Sequence, residues 1–271
     1  MLDLIIAKGF QVEFLSHAQA ILSVDFPAAL AELEQALLAT TIPIEEIIAG
    51  GGGEAKGTQR LRKALTAKGW VKTIFVVEKR INGTPRESQS HEVDHVRSFE
   101  NGAQIALEIE WNNKDPFYDR DLENYKRLHA DGAISVGIVV TRGASLQANM
   151  RDLVRRFLDE RNLDKLDDLR DWGYDPTSKQ RAFIDKQTTR TSNPLAFRDA
   201  FASKFVADKF GEATTHWRKL EDRIKRGVGN PCPLVLIGLP DRIVTFHEGK
   251  TALLEVEAAE TADHINGIAE P

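Results

Sequence analysis

Apolar positions recur at helical spacing in the first part of the chain. The segment PAALAELEQALLA carries its leucines on one helical face and has proline in its first turn. Four glycines at 50–53 interrupt the pattern, and the leucines that follow are again one turn apart until Gly69. The pattern therefore predicts a helical N-terminal part over residues 1–50 and a further helix after the glycines.

The central part changes to the pattern of strands. Val71–Ile81 is rich in β-branched residues and is followed by the turn residues INGTPRE. His91–Phe99 and Ala103–Trp111 flank an Asn-Gly pair, which is a strong hairpin signal. A helical stretch, YDRDLENYKRLHADG, then precedes the apolar run Ala133–Thr141. The order helix, strand, strand, strand, helix, strand predicts a mixed sheet with an antiparallel meander and one crossover to a parallel strand.

The remainder of the chain returns to helical spacing. The segments SLQANMRDLVRRFLDERN, FRDAFASKFVADKF and ATTHWRKLEDRIKR predict helices. Between the first two lies DWGYDPTSKQRAFIDKQTTRTSNP, whose polar composition predicts a long loop. PLVLIGLP and RIVTFH are interpreted as a short strand pair, and the acidic residues at the end as a frayed tail.

Composition excludes several classes of protein. The 271 residues are 42% hydrophobic and 28% charged, which is ordinary for a globular protein in water. No apolar run approaches the roughly 18 residues of a membrane helix. The first residues do not have the pattern of a signal peptide. Cys232 is the single cysteine, so an internal disulfide framework and a cysteine-based zinc site are excluded, and we expect a reducing cytoplasm.

Charge is distributed unevenly along the sequence. The net charge is −5, yet residues 176–230 carry twelve basic and six acidic side chains. A basic block inside an acidic protein fits a surface that faces a polyanion such as a nucleic acid. The alternative, a solvated helical face, stays open at this point.

The chemistry is concentrated on one predicted strand. Side chains alternate along a strand, so Glu108 and Glu110 face one way while Leu107 and Ile109 face the other. Two neighbouring glutamates repel each other unless a divalent cation such as Mg²⁺ lies between them. Asp94 lies on the preceding strand, where cross-strand pairing can bring it near Glu108. Three acids on one patch predict a metal site for phosphate chemistry; the alternative is a solvent-facing pair of glutamates on an open sheet.

The stretch ALEIEWNNKDPFYDRDLENYKRLHADGAISVGIVVTRG resembles the catalytic core of type II restriction endonucleases. It is similar to the BglII/BamHI branch of the PD-(D/E)xK nucleases. Asp94 and Glu108 match the first two acids of that motif. Glu110 stands where most of the superfamily has lysine, and this branch also replaces the lysine by glutamate or glutamine. The resemblance covers Asp94 to Gly143.

The resemblance implies an α/β fold with a restriction-endonuclease-like core. A mixed central β-sheet would be flanked by helices, with a helical C-terminal elaboration. We expect a single domain over 1–271, with a helical N-terminal part at 1–50 and a catalytic core at 51–145. A helical, basic, DNA-contacting part at 146–230 would be followed by short strands and the acidic tail at 231–271.

The resemblance also implies an activity and its residues. We expect Mg²⁺-dependent, sequence-specific hydrolysis of double-stranded DNA at a short palindromic site. Asp94, Glu108 and the main-chain carbonyl of Ile109 would hold Mg²⁺. Glu110 would position the attacking water or help to bind a second ion. Glu54, at the start of a helix, matches the helper acid of the family, although the helix N-terminus alone favours an acid there; Glu78 and Glu92 are rivals for this role.

DNA contacts are expected from three places. Lys114 and Asn113 follow the strand that carries the two glutamates, and Arg142 ends the buried strand. The basic segment offers side chains that bind phosphates or base edges, namely Lys179, Arg181, Lys186, Gln187 and Arg190. Cleavage of both strands of a palindrome calls for a homodimer. We expect a prokaryotic cytoplasmic enzyme with no membrane partner and a cognate DNA methyltransferase encoded nearby, not bound as a subunit.

Other readings of the sequence are kept. A repair or recombination nuclease could use the same core, and a DNA-binding protein without catalysis would not need the acids. A protein that binds no nucleic acid would lack salt-dependent DNA affinity. The P-loop, G-x-S-x-G and H-E-x-x-H motifs are missing from the sequence. Asp119, Arg120 and Asp121 open a helix, where acids are favourable, and are interpreted as structural.

Overall fold

The computed structural model describes residues 1–49 and 54–247. Within these residues the α-helices are α1 (Asp3–Ala7), α2 (Ala18–Val24), α3 (Pro27–Leu38), α4 (Ile44–Ile48), α5 (Lys56–Thr66), α6 (Phe117–Ala130), α7 (Ala144–Glu160), α8 (Ser178–Thr189), α9 (Phe197–Lys209) and α10 (Trp217–Lys225). The strands are β1 (Gln11–Leu15), β2 (Ile42–Pro43), β3 (Trp70–Ile81), β4 (Thr84–Ser98), β5 (Gln104–Glu110), β6 (Val136–Arg142), β7 (Leu234–Leu239) and β8 (Val244–Thr245). Short 3₁₀-helices cover Leu166–Trp172 and Asp241–Ile243.

The central sheet has six strands in the order β1-β7-β6-β5-β4-β3. Strands β3, β4 and β5 form an antiparallel meander, and β6 pairs with β5 in parallel after the crossover through α6. This confirms the mixed sheet and its single predicted crossover. Strand β7 continues the sheet parallel to β6, and β1 closes it antiparallel to β7.

Helices cover both faces of the sheet. Leu107 on β5 belongs to the larger core, together with Phe157 of α7 and Phe201 of α9. Ala106, the preceding residue, belongs to the smaller core on the opposite face, with Leu122 of α6. A strand that is buried on both faces is typical of a sheet between two helical layers. The α/β class predicted from the sequence is therefore confirmed.

Helix α6 packs unusually close to β6. A Cβ atom at Gly137 would lie 2.4 Å from the Tyr125 ring, so only glycine accommodates this approach. The Tyr125 hydroxyl donates a hydrogen bond of 2.8 Å to the carbonyl oxygen of Ile138. The contact fixes α6 against the sheet and thereby places the first turns of α6 beside the end of β5.

The long loop predicted between residues 171 and 194 is wrong, because α8 occupies its centre. Thr177 caps this helix, and its side chain accepts a hydrogen bond from the Gln180 backbone N–H while the Gln180 side chain bonds back to Thr177. Thr-x-x-Gln is the sequence pattern of such a capping box. Ile184 is buried in the larger core. The polar composition hid a helix that is stabilised by its cap and by one buried residue.

The strand pair predicted near the C-terminus is also wrong. Strand β7 lies inside the main sheet between β1 and β6, whereas β8 pairs with β2 in parallel. The N-terminal part is not purely helical either, because β1 forms the edge of the sheet. These pairings join segments that are distant in the chain, so no local pattern reveals them. The predicted acidic tail and the glycines at 50–53 lie outside the described residues.

Strands β3 and β4 form a hairpin that is longer than predicted. The turn is confined to Asn82 and Gly83, both with positive φ, and β4 starts directly after it. Val71 faces Val96 and Thr73 faces Val93, so that two residues of β4 stand opposite one residue of β3. Such a bulge redirects side chains and is frequent beside active sites.

The part of the chain that the structure describes contains no helix that is both long and apolar enough to cross a membrane.

Candidate active site

The two glutamates of β5 lie on the face of the sheet that α6 covers. Glu108 has 5% and Glu110 has 2% of its surface exposed. Leu107, between Ala106 and Glu108, packs in the core of the opposite face. The alternation expected from the sequence is therefore present, but helix α6 covers both carboxylates, so the alternative of a solvent-facing pair does not hold.

Asp94 lies beside Glu108, at the bulge of β4. Regular pairing of β4 with β5 ends at His95, which stands opposite Leu107. At the next position the Asp94 backbone N–H donates to Glu108 Oε1 over 3.4 Å. The Asp94 carboxylate is about half exposed, and its Oδ1 lies 3.8 Å from Lys72 Nζ. Cross-strand proximity of the first and second acids is thus present, with the first acid at the surface and the second beneath it.

A fourth acid, Asp121, comes from α6. It is buried, and its Oδ1 accepts a hydrogen bond of 2.7 Å from Arg120 Nε. Its interaction with the Glu110 side chain raises the pKa of Glu110. The interpretation of Asp121 as a helix-terminus residue therefore needs correction, because its side chain faces the buried glutamates. Asp119 keeps a structural place, since Arg223 binds its carboxylate over 3.2 Å.

Burial and mutual repulsion raise the pKa values of these acids. Burial raises the pKa of Glu108 to about 10, and the charges of Asp121 and Asp94 add to the effect. Burial and Asp121 raise the pKa of Glu110 to about 8. The Asp121 pKa is also raised, chiefly by burial. Carboxyl groups of this kind ionise together only when positive charge comes close to them.

The types of donor at this point fit Mg²⁺. Carboxylate oxygens are the ligands that hard divalent cations prefer, and Asp121 Oδ2 is buried without a hydrogen-bond partner. The described residues nevertheless contain no ready-formed group of three His, Cys, Asp or Glu side chains around one point. Ile109 lies between the two glutamates, and its side chain lines a cleft at this edge of the sheet.

Glu110 is held in place by its neighbours. Asn113 Nδ2 donates a hydrogen bond of 2.8 Å to Glu110 Oε2. The Thr141 hydroxyl donates to the Glu110 carbonyl over 2.8 Å and also contacts the Tyr118 hydroxyl. Asn113, predicted to contact DNA, therefore orients a glutamate in this structure. Its position in the sequence, three residues after Glu110, was the available signal.

Lys114 and Arg142 both contact the segment Thr214–Thr215, which precedes α10. Lys114 is exposed and forms an isolated β-bridge with Thr214. Arg142 is fully buried, and its guanidinium donates to the Thr215 carbonyl and the Thr214 hydroxyl at 2.7 and 2.6 Å. Burial lowers the pKa of Arg142 to about 10. The expectation that Arg142 contacts DNA has no support in this placement, because no part of the side chain reaches the surface.

The helper acid and its rivals differ in position. Glu54 is about half exposed, pairs with Arg62 at 3.2 Å and lines the same cleft as Asp94. Glu92 binds Lys72 at 2.6 Å. Glu78 pairs with Arg80 at 2.9 Å, farther out on the β3–β4 hairpin. Glu54 and Glu92 therefore remain near the acids, whereas Glu78 is directed to a partner toward the end of the hairpin.

A cleft of about 1510 Å³ opens beside the acids. Asp94, Ile109 and Asn113 line it on the sheet side. The wall also carries positive charge from side chains of three elements, namely Lys56, Arg62, Lys72 and Lys209. Sequence reasoning missed Lys72, although its place on the strand that pairs with the segment around Asp94 was a usable signal. The cleft is thus lined by both acidic and basic side chains.

The predicted DNA-contacting residues of the basic segment all lie on α8 or at its end. Lys179 and Lys186 are exposed, as is Arg190, which follows the last helical residue. Arg181 is partly buried and pairs with Asp167 at 3.3 Å, and the Gln187 carbonyl accepts a hydrogen bond from the Leu195 backbone N–H. A helix with exposed cations replaces the long loop that the composition predicted.

Comparison with known proteins gives the family. No curated protein matches the sequence. The family model described as restriction endonuclease BglII/BglIII matches residues 10–239. The match begins just before β1 and ends with β7, so it contains all six strands of the central sheet. The chain therefore belongs to the BglII/BglIII restriction endonuclease family and is a type II site-specific deoxyribonuclease.

Proposed function

We propose that this restriction endonuclease uses Mg²⁺ to hydrolyse double-stranded DNA at a short palindromic site, and that it acts as a homodimer. The observation that carries the proposal is the convergence of Asp94 with buried Glu108, Glu110 and Asp121 at one end of β5. A protein that only bound DNA would be penalised for acids beside phosphates. A divalent cation bound among these carboxylates would replace their mutual repulsion by attraction to the ion.

Asp94, Glu108 and the main-chain carbonyl of Ile109 would hold the ion. When bound, Mg²⁺ supplies Lewis-acid polarisation of a phosphate oxygen and lowers the pKa of a bound water. The chain contributes the placement of these ligands. The hydrogen bond from the Asp94 backbone to Glu108 keeps the first and second acids adjacent across the bulge.

Glu110 would position the attacking water and accept its proton. Burial and Asp121 raise the pKa of Glu110 in the metal-free protein, so its carboxylate would ionise and could accept a proton once the cation is close. Asn113 donates a hydrogen bond to one oxygen of the Glu110 carboxylate and thereby fixes the orientation of that carboxylate. Glu54 would contribute from the other side of the cleft, where it lies near His95 and Arg62.

DNA would lie along the cleft and be contacted by exposed cations. Lys114, Lys179, Lys186 and Arg190 are accessible, and each can bind phosphate. Recognition of a palindrome by one site per chain requires a second copy related by two-fold symmetry. We expect the enzyme in a prokaryotic cytoplasm, with a methyltransferase of the same specificity encoded nearby.

The test is digestion of a sequenced plasmid with and without Mg²⁺, followed by sequencing of the fragment ends. Discrete Mg²⁺-dependent fragments that share one short palindrome are the expected result. Cleavage at unrelated sequences would favour the repair or recombination nuclease instead. Folded protein that binds unmethylated DNA but leaves it intact would contradict the proposal and favour the non-catalytic alternative.

A further inference from the structure

One cation of the cleft stands apart because it contacts the surface acid directly. Lys72 lies on β3 opposite the bulge, between the positions paired with Val96 and Val93. Its ammonium is 3.8 Å from Asp94 Oδ1 and 2.6 Å from Glu92 Oε1. More than half of the side chain, 57%, remains exposed, and it lines the cleft.

Arg120, a second cation near the acids, faces a different direction. Arg120 binds Asp121 at 2.7 Å, lies 3.8 Å from Glu110 and stacks over the Phe117 ring. Its charge is thus directed at the buried acids beneath α6, and it is not among the residues that line the cleft. Of these two cations, only Lys72 is open to a substrate that enters from the cleft.

A phosphate that approaches the acids needs positive charge on the cleft side. The charge of Lys72 acts on both Asp94 and Glu108. An ammonium has three N–H donors. One is directed at Glu92, and the 3.8 Å separation from Asp94 is longer than a hydrogen bond. Donors therefore remain for a phosphate oxygen.

We propose that Lys72 is a catalytic residue, which donates a hydrogen bond to a non-bridging oxygen of the scissile phosphate, and that Glu92 is the positioning residue that holds Lys72 at the bulge. The proposal rests on the proposed function, because it requires that DNA be cleaved at Asp94 and Glu108. It supplies the positive charge that Glu110 cannot provide.

Lys72 would form and break no covalent bond during the reaction. The water oxygen would form a bond to phosphorus and give its proton to Glu110. The bond from phosphorus to the leaving sugar oxygen would break with its electron pair on that oxygen, which takes up a proton from solvent. Lys72 stays protonated throughout and neither gives nor takes a proton. Its contribution is to stabilise the charge that accumulates on the phosphoryl oxygens in the transition state.

The test is the single-turnover cleavage rate of Lys72→Met and Lys72→Arg with saturating DNA and Mg²⁺. We expect Lys72→Met to lower the rate by about 10²-fold, as the loss of one transition-state donor does, and Lys72→Arg to recover most of it. Lys79→Met, on the exposed part of the same strand, is the matched control and should cleave like the wild type. DNA affinity without divalent cations should change far less than the rate.

Glu92→Gln tests the positioning role. It should slow cleavage by a smaller factor, and the double variant with Lys72→Met should be no slower than Lys72→Met alone, because both act through one ammonium. Additive losses would overturn the role of Glu92. Equal melting temperatures of the variants and the wild type would separate these effects from unfolding.

The outcomes separate the two proposals. If the wild type cleaves and Lys72→Met cleaves at the same single-turnover rate, the role of Lys72 is overturned and the proposed function stands. If the wild type itself does not cleave, the proposed function fails, and the role of Lys72 fails with it.

Discussion

The acidic end of β5 and the helical region from α7 to α10 handle charge in opposite ways. At the end of β5, Glu108, Glu110 and Asp121 are withdrawn from water, and burial raises their pKa values. On α8, Lys179 and Lys186 remain in water, where salt screens them. Desolvated charge is suited to chemistry, because interactions are strong in a low dielectric. Screened charge is suited to holding a long polyanion reversibly.

Two cations that bind main-chain carbonyls show the limit of this contrast. Arg142, the last residue of β6, is fully buried, and Lys209 of α9 is partly buried; each donates to main-chain carbonyls. Burial lowers the pKa of Lys209 to about 8. Their hydrogen bonds fasten Thr215 and the end of α4. A positively charged side chain is therefore a candidate for DNA contact only when its charge is exposed and is not already bound to main-chain carbonyls.

The largest effect on cleavage is expected from the acids at the end of β5. Glu108→Ala should reduce single-turnover cleavage by at least about 10²–10³-fold, because it removes a central ligand of the proposed ion. DNA binding without divalent cations should persist. Glu100→Ala, an exposed acid in the turn before β5, is the matched control. Cleavage by Glu108→Ala at the wild-type rate would contradict the assignment of the site.

A smaller effect, on affinity alone, is expected from α8. The double variant Lys179→Ala/Lys186→Ala should bind DNA more weakly, and the slope of log K against log salt should fall by about 0.9 for each lost phosphate contact. Cleavage of saturating DNA should be unchanged. Lys126→Ala/Arg127→Ala on α6 removes the same charge elsewhere. Equal affinity and slope for both double variants would show that α8 is a solvated face.

The centre of the fold was predictable because its signals are local. Strand alternation, the Asn-Gly turn and the helix before β6 gave the correct order and the correct parallel crossover. Strands β1 and β7 pair across more than two hundred residues, so only the assembled sheet reveals them. Helix α8 was missed because it depends on a cap at Thr177 and on the burial of Ile184.

The candidate site was predictable to the extent that it lies on one hairpin. Asp94, Glu108 and Glu110 came from strand parity and the family resemblance. Asp121 was assigned to a helix terminus, because its burial depends on how closely α6 approaches β6. The predicted meander placed the strand of Lys72 beside that of Asp94, but the contact itself depends on a bulge, a shift of register that the pattern of apolar residues does not encode.

Stability of the metal-free protein should respond to pH through the buried glutamates. Glu110 has a folded-state pKa of about 8 against an ordinary value of 4.5. The folded state binds the extra proton, so this contribution is complete below the ordinary pKa and is lost as pH rises through about 8. Glu108 acts in the same direction up to about pH 10.

Glu110→Gln should therefore melt at a higher temperature than the wild type at alkaline pH, without Mg²⁺, and the difference should shrink toward acid pH. Thermal melts across pH, with Glu123→Gln on the outer part of α6 as control, measure this. Mg²⁺ should raise the wild-type melting temperature at alkaline pH, because an ion that binds only the folded state stabilises it. A wild-type melting temperature that rises with pH would contradict the assignment.

The smallest effect is expected at the cap of α8. Thr177→Ala should cost about 1 kcal/mol, because the first turn loses its side-chain acceptor. For a chain of this size that is a fall of about 2–4 °C in melting temperature. Thr189→Ala, at the other end of the helix, is the comparison. An unchanged melting temperature would mean that α8 frays without affecting global unfolding.

The pairing of residues 113–115 with 213–215 has a mechanical consequence. Asp115 and Thr215 exchange backbone hydrogen bonds with the opposite segment, and Arg142 binds Thr215 from beneath. The segment that follows β5 is therefore hydrogen-bonded to the segment that precedes α10. A tilt of that helix would pull on the same backbone that carries Asn113 and, through it, Glu110. The distance between α10 and the acids at the end of β5 is thus fixed by backbone hydrogen bonds within the folded chain.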